Sequence, residues 1–468
     1  MRTQLKDALG DGDDERRLIR RLSTQAGVPA FLRRIAARID ASALAYRLAH
    51  GVFWSLAGTA LSRALALAAS VVTARILGKQ GYGELGVLNS TLLTLQSFAG
   101  FGLGATATKY VAELRGKDSE RVGRILTLST IVSAASGLLA MALLWAFAGW
   151  LATHAINAPQ LTGLLRIAAF GLVFTTLGGA QAGALAGFEA FRRLTWLNVW
   201  SGLLGVPIAV AGVWFWGLPG AVWATIATAA VQWGLAHFAV RAEARAHGIT
   251  IGVGGWWREQ RVLWSFSLPA IALGVMVAPV NWAAAAILVN QPRGYPEMGV
   301  LSVANQWFGA VMFLPTALGG AVLPVLLERV GQGDRRGARK VLGAAIAMNT
   351  AVVVPIVAAA SLASPWIMAM YGKEFGAAWR TLVIVLITAG LVAATTPVGN
   401  LFAVADRLWL AVLMNSGWAA LFLGATLLLV KWGALGVATA RLIAYVVHVV
   451  WTVWFALSFV RGGRPSIP

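Results

Sequence analysis

The chain has 468 residues, 58% of them hydrophobic and 12% charged, with a mean hydropathy of +0.73. A soluble protein carries about 25% charged residues, whereas here apolar runs of about 20 residues recur along nearly the whole length, which specifies a polytopic α-helical membrane protein. The runs are continuous rather than alternating, which excludes a β-barrel, and the net charge of +20 reads as positive-inside topology rather than a nucleic-acid surface.

There is no cysteine, so disulfides and thiolate metal sites are ruled out. The five histidines form no HxxH or HExxH spacing, and neither metal nor cofactor is expected. The first apolar run starts only near Gly51 and is too long for the core of a cleavable signal.

Residues 1–50 are polar and arginine-rich, with Leu18, Ile19, Leu22, Phe31, Leu32, Ile35 and Ile39 near helical spacing. They read either as an amphipathic helix on an anionic leaflet or as a basic cytoplasmic arm. Helix 1 is expected at about 51–77 and helix 2 up to Leu114, joined by the turn LGKQGYG. Helices 3 and 4 follow at about 125–151 and 161–187. Helices 5 and 6, about 195–215 and 220–240, are joined by WGLPG. A basic connector, 241–261, precedes a second set of six: helices 7 (262–290, interrupted by Pro269 and Pro279), 8 (300–326), 9 (341–362), 10 (381–404), 11 (408–430) and 12 (433–459). The expected units are therefore a cytoplasmic extension (1–50), one six-helix lobe (51–240), the connector (241–261), a second lobe (262–460) and a tail (461–468).

Orientation follows from the loops. One side holds 28 Lys and Arg and the other holds 5, namely Lys79, Arg293, Lys373, Arg380 and Lys431. Both termini are placed in the cytoplasm and the number of spans is even, twelve. Trp54, Trp150, Trp200, Trp216, Trp264, Trp366, Trp409 and Trp432 fall near the helix ends, as interfacial aromatic residues do.

The two halves repeat each other. GYGELGVL (81–88) matches GYPEMGVL (294–301) at an offset of 213, and WGLPGAVWAT (216–225) matches WGALGVATAR (432–441) at 216. Between them, AELRGKDSERVGRIL (112–126) resembles LERVGQGDRRGARKVL (327–342). An offset of six helices gives a parallel repeat, whose axis runs along the membrane normal and whose substrate site lies near the midplane between the copies. The copies differ in charge. Arg63 in helix 1 aligns with Met276–Pro279, and Lys109 in helix 2 with Val322–Pro324. The first lobe is thus expected to supply fixed positive charge, and the second to supply kinks and amides.

Arg63 sits at the middle of helix 1, about 18 Å from its cytoplasmic end at 1.5 Å per residue. A guanidinium at that depth costs about 2.5–3.5 kcal/mol on insertion scales, and the acidic residues of helices 1 and 2, Glu84 and Glu113, lie at helix ends rather than inside to pair with it. Two readings compete: a ligand for an anion from outside the chain, or a structural arginine bonded to helix carbonyls. Arg75 and Lys109 lie nearer helix ends, where both can also snorkel. Arg166 and Arg441 read as interface anchors or interhelical contacts, and His237 and His448 as hydrogen-bonded within the bundles. Asn89, Gln96, Asn281 and Asn305 suit either a polar cavity wall or interhelical hydrogen bonds.

The stretch ARILGKQGYGELGVLNSTLLTLQSFAGFGLGATATKYVAELRGKD, together with the twelve spans and the six-plus-six repeat, resembles the polysaccharide-biosynthesis flippases of the multidrug/oligosaccharidyl-lipid/polysaccharide (MOP) superfamily. The likeness covers about residues 45–460; the first 45 depart from the pattern, since most members begin just before helix 1. The resemblance implies an all-α, two-bundle transporter, monomeric, in a bacterial inner membrane. Its cargo would be an undecaprenyl-diphosphate-linked oligosaccharide, with membrane lipids around it and polysaccharide-assembly proteins as further partners. The cationic cavity of that family maps onto Arg63, Arg75 and Lys109, and no catalytic residue is implied. Two other classes lack their chemistry here. A cation-drug antiporter of the same superfamily requires a buried carboxylate, and the Asp and Glu residues fall in loops or at helix ends. A membrane glycan polymerase or ligase requires a long catalytic loop, and the external loops are short.

Overall fold

In the computed structural model, residues 43–100, 102–252, 254–267, 276–332, 334–404 and 408–460 are described. Most of the basic extension, the tail 461–468 and Pro269 of the expected helix 7 lie outside these residues. The described chain is almost wholly helical. Its long elements are α1 (Ala43–Ala99), α2 (Leu103–Leu114), α3 (Ser119–Trp150), α4 (Thr162–Gly187), α5 (Phe191–Ala246), α6 (Val277–Val289), α7 (Gly294–Gly331), α8 (Arg335–Leu362), α9 (Ser364–Met370), α10 (Trp379–Val404), α11 (Leu408–Leu429) and α12 (Gly433–Val460).

Seven stretches of the described residues are long and apolar enough to cross a membrane. Three of them are two crossings joined by a sharp turn, at Gly78 in α1, at Gly217 in α5 and at Gly433 between α11 and α12, so these stretches provide ten crossings. With α6 and α7 the arrangement matches the expected twelve. The turns are where the sequence places them. Each of the three glycines has positive φ, a conformation that a side chain makes costly.

The repeat is visible in the backbone. Gly217 has φ 57° and ψ −135°; Gly433, 216 residues on, has φ 66° and ψ −141°. At the other repeated motif the two copies meet directly. Gly83 lies against the Tyr295 carbonyl and Gly299 against the Lys79 carbonyl, so closely that a Cβ on either glycine would overlap backbone. Small residues allow this approach of two membrane helices. Around the contact, Gln306 Nε2 donates to the Tyr82 hydroxyl at 2.5 Å, Tyr295 donates to the Ile156 carbonyl at 2.7 Å, and Trp282 Nε1 donates to Thr91 at 3.0 Å.

These contacts close one end of the molecule. A single hydrophobic core there joins both bundles, taking in Tyr82, Leu88, Ile156, Val213, Leu288, Tyr371, Phe375 and Val430. At the opposite end, which carries the connector, each bundle has its own core. Leu126, Leu185 and Val240 belong to the first, and Leu326, Leu342 and Phe455 to the second. The bundles are therefore joined at the turn end and part toward the connector end. Residues after Ala246 stay with the first bundle: buried Glu259 accepts from Arg121 Nε at 3.1 Å and Arg124 Nε at 3.4 Å, and Thr127 donates to the Gly252 carbonyl at 3.0 Å. Trp150, Trp200, Trp216, Trp264, Trp366, Trp409 and Trp432 are exposed at the periphery, as interfacial residues should be.

Candidate functional site

Between the bundles lies a cavity of about 1020 Å³. Both halves of α1 and both halves of α5 line it from the first bundle; α6, α7, α11 and α12 line it from the second. Alanine and glycine are frequent on its wall, which keeps it wide. Polar groups are spread over the surface, chiefly hydroxyls and amides. No carboxylate is among the described lining residues, and their one charged side chain is Arg441.

The position of Arg441 follows from the repeated turn. Gly433 reverses the chain, and Glu297 of α7 accepts from the Ala434 N–H at 2.8 Å, fixing the start of α12. Arg441 comes eight residues later, about 12 Å along the helix axis. Its guanidinium stacks 4.9 Å from the centroid of Phe308 and is 7% exposed, and Nη2 is buried with no hydrogen-bond partner. The ring face offsets part of the desolvation cost of the cation. A buried guanidinium donor without an acceptor is costly and suits an anion arriving in the cavity. Three further orphaned polar atoms belong to lining residues, Ser201 Oγ, Ser302 Oγ and Asn305 Oδ1.

Of the residues expected from sequence, Asn89, Asn281 and Asn305 line the cavity. Asn281 also donates to the Val277 carbonyl at 2.8 Å. Gln96 is not on the wall. Arg63 is exposed beside it, next to Ser62, which is on the wall; its Nη1 donates to the Gly309 carbonyl of α7 at 2.9 Å, and its guanidinium lies 5.2 Å from the Phe313 ring. The helix-carbonyl partner of the structural reading is thus present, and it comes from the opposite bundle. Arg75 donates from Nε to the Met370 carbonyl at 2.6 Å, another bond between bundles. Lys109 lies over the ring of Tyr110, away from the cavity wall.

Among the described lining residues the cation is contributed by the second bundle, not the first. The repeat carried a signal for this, because the offset of 216 relates Arg441 to Thr225, and both line the cavity. The offset of 213 relates Asn89 to Ser302, and these also both line it. Gln306, one of the amides expected of the second lobe, is on the wall, and sequence reading missed Asn198 and Gln232 there. His237 and His448 are hydrogen-bonded within their bundles, to Gln181 at 3.2 Å and Asn415 at 3.2 Å, and Arg166 stacks over Trp145. Among the described residues no three His, Asp or Glu side chains gather as a metal site would require.

A family model described as "Polysaccharide biosynthesis protein" matches residues 48–329, more than half of the chain. The chain belongs to the polysaccharide biosynthesis protein family. Two characterised relatives carry the same description, "EPS I polysaccharide export inner membrane protein EpsE". The protein from Ralstonia solanacearum is 23% identical over 401 residues, covering 83% of this chain and 89% of its own length. That from Ralstonia nicotianae is 24% identical over 398 residues, with the same coverage.

Solved structures similar to this family member share its fold at low identity. An inward-facing multidrug resistance MATE transporter of the MOP superfamily matches with TM-score 0.73 and 13% identity over 88% of this chain and 98% of its own. An outward-facing conformation of such a transporter matches with TM-score 0.66 at 13% identity, covering 88% and 96%. A MOP superfamily transporter from Pyrococcus furiosus, described as having a binding pocket of reverse polarity, matches with TM-score 0.67 at 12% identity, covering 88% and 95%. The chain is a multi-pass membrane protein of MOP-type fold: two helical bundles related by a parallel repeat.

Proposed function

We propose that this protein is a flippase carrying a lipid-linked oligosaccharide, with a diphosphate head, across the bacterial inner membrane by alternating access. One observation carries the reading: the central cavity has an arginine with an unpartnered buried N–H and no carboxylate among its described lining residues. An anionic head group complements such a site; a cationic drug is repelled by it. The names of the two EpsE relatives, polysaccharide export proteins of an inner membrane, support the same cargo class.

In this proposal Arg441 holds the diphosphate and Asn89, Asn281, Asn305 and Ser302 meet sugar hydroxyls. Arg63, adjacent to the wall, is the second candidate cation, with Arg75 and Lys109 more remote. With both termini in the cytoplasm, as the basic loops favour, the bundles part toward the cytoplasm and the closed end faces outward. Loading then occurs from inside, and release requires the shared core around Tyr82 and Phe375 to open. The step is translocation without covalent chemistry, by a monomer that works alongside polysaccharide-assembly proteins.

The test is a deletion strain followed for surface polysaccharide and for its lipid-linked precursor. The expected result is loss of surface glycan, build-up of precursor on the cytoplasmic leaflet, and restoration of both by the intact gene. Normal glycan together with new sensitivity to cationic drugs would overturn the reading in favour of an antiporter.

A further inference from the structure

A second cavity, of about 240 Å³, lies inside the first bundle and shares no lining residue with the central one. Its polar wall is made by Thr127, Ser129 and Thr130 of α3, Gln181 of α4, and His237 and Arg241 of α5; Ile251 and Gly252 close it at the connector end. Ser129 and Gln181 are 3% and 5% exposed, and Ser129 Oγ and Gln181 Oε1 have no hydrogen-bond partner. The Gln181 amide faces His237 Nδ1 at 3.2 Å. Whichever ring nitrogen carries the proton, one end of that amide is left over. Two buried polar groups without partners facing one cavity are an unusual expense for a fold unless something fills it.

The charge around them is one-sided. Arg241 forms no ion pair among the described residues, and the nearby carboxylates are already engaged. Glu243 pairs with Arg193 at 2.6 Å and lies 3.7 Å from His247, and Glu259 holds Arg121 and Arg124. Thr127 and Thr130 spend their hydroxyl protons on carbonyls, at Gly123 and Leu126. The donors left for a ligand are therefore the Arg241 guanidinium, the Ser129 hydroxyl and, when the amide is turned so that Oε1 accepts from His237 Nδ1–H, the Gln181 NH2 group. Arg241 lies five residues before the end of α5, about 8 Å from the bundle's connector end, and Ser129 ten residues into α3, about 15 Å deep. The cavity thus runs inward from head-group depth, where basic pockets between helices take anionic head groups. The fold itself does not demand these side chains: at the repeat offset of 216 the second bundle has Ala345, Val453 and Leu457 in place of Ser129, His237 and Arg241.

We propose that this cavity binds a phosphate-bearing anion, anchored by Arg241 and hydrogen-bonded by Ser129 and Gln181. The phosphate belongs either to a lipid head group of the surrounding leaflet or to free phosphate from the aqueous side.

The experiment follows thermal unfolding of the purified, delipidated full-length protein titrated with phosphatidylglycerol, inorganic phosphate or oleate, an anionic lipid without phosphate. A saturable rise with phosphatidylglycerol alone assigns the site to a lipid phosphate; a rise with inorganic phosphate assigns it to the free anion. In either case half-saturation should move at least tenfold in Arg241→Gln, several-fold in the conservative Ser129→Ala, and less in Arg241→Lys. Arg166→Gln, outside the cavity, should behave as wild type. The proposal falls if oleate matches phosphatidylglycerol and phosphate has no effect. It falls equally if Arg241→Gln and Ser129→Ala leave half-saturation unchanged, or if Arg166→Gln shifts it as much as Arg241→Gln.

Discussion

Arg63 Nη1 donates to the carbonyl oxygen of Gly309 at 2.9 Å, joining helix 1 of one bundle to α7 of the other. The bond belongs to the state in which the bundles close at the turn end. A hydrogen bond from a charged donor is worth about 1.5–3 kcal/mol, and an arriving diphosphate would compete with the carbonyl for the same guanidinium. Arg63→Ala should therefore lower surface glycan about tenfold or more at matched expression. Arg63→Lys should restore part of it, since an ammonium reaches the carbonyl but cannot form a bidentate phosphate contact. Quantified surface glycan in a complemented deletion strain checks both.

Arg441 should be less forgiving. It stacks on Phe308 with Nη2 unpartnered, so its cost in the empty cavity is offset only when cargo is bound. Arg441→Ala should abolish export while the protein inserts normally and unfolds at an equal or higher temperature than wild type. Arg441→Lys should export weakly. Glycan assay and thermal unfolding on the same preparations separate loss of cargo binding from loss of fold.

The Gly83–Tyr295 contact predicts a conformational effect. A valine at Gly83 would overlap the Tyr295 carbonyl, and overpacking typically costs about 1–3 kcal/mol. That is enough to move a two-state equilibrium about tenfold, toward the state open at the turn end. The chain has no cysteine, so Ser302→Cys, on the cavity wall, gives a single label. A membrane-impermeant maleimide added from outside should react with it several-fold faster in Gly83→Val than in the otherwise wild-type chain.

The repeated glutamates should behave unequally. Glu297 caps the Ala434 N–H at 2.8 Å, whereas its repeat partner Glu84, half-buried, accepts among the described residues from Gln80 of its own helix at 3.4 Å. Glu297→Ala should cost about 1–2 kcal/mol of stability and Glu84→Ala about 0.2–0.5 kcal/mol. Denaturation midpoints of the two variants, compared in the same detergent, check the difference.

Much of the fold is legible in the sequence because membrane helices are bounded by length and by glycine. The reversals at Gly78, Gly217 and Gly433 lie where the motifs put them, and α4, α8, α10, α11 and α12 end within a few residues of the expected limits. The cavity is only half legible. Asn89, Asn281 and Asn305 reach its wall, but Gln96 and Lys109 do not, and Arg441, read as an interface anchor or interhelical contact, makes an interhelical stack on Phe308 and lies on the wall as well. The reason is rotational. In a bundle within lipid, apolar residues face both neighbours and solvent, so no stripe indicates which way a helix is turned. For Arg441 the rotation is set by Phe308 and Glu297, more than a hundred residues away in sequence. Depth is written locally and azimuth is not.

The matched torsions at Gly217 and Gly433 carry a consequence for how such a chain diversifies. Around these glycines the two halves have exchanged most of their side chains, Thr225 for Arg441 among them, yet the reversal keeps its shape to within about ten degrees. A duplicated ancestor whose turns stay fixed can alter one copy of a wall position without disturbing the other. Each symmetric pair then becomes two independent settings, one left neutral and one free to acquire charge. A half-size protein assembling as a symmetric dimer would have to place two arginines in the cavity or none; the fused chain can place one.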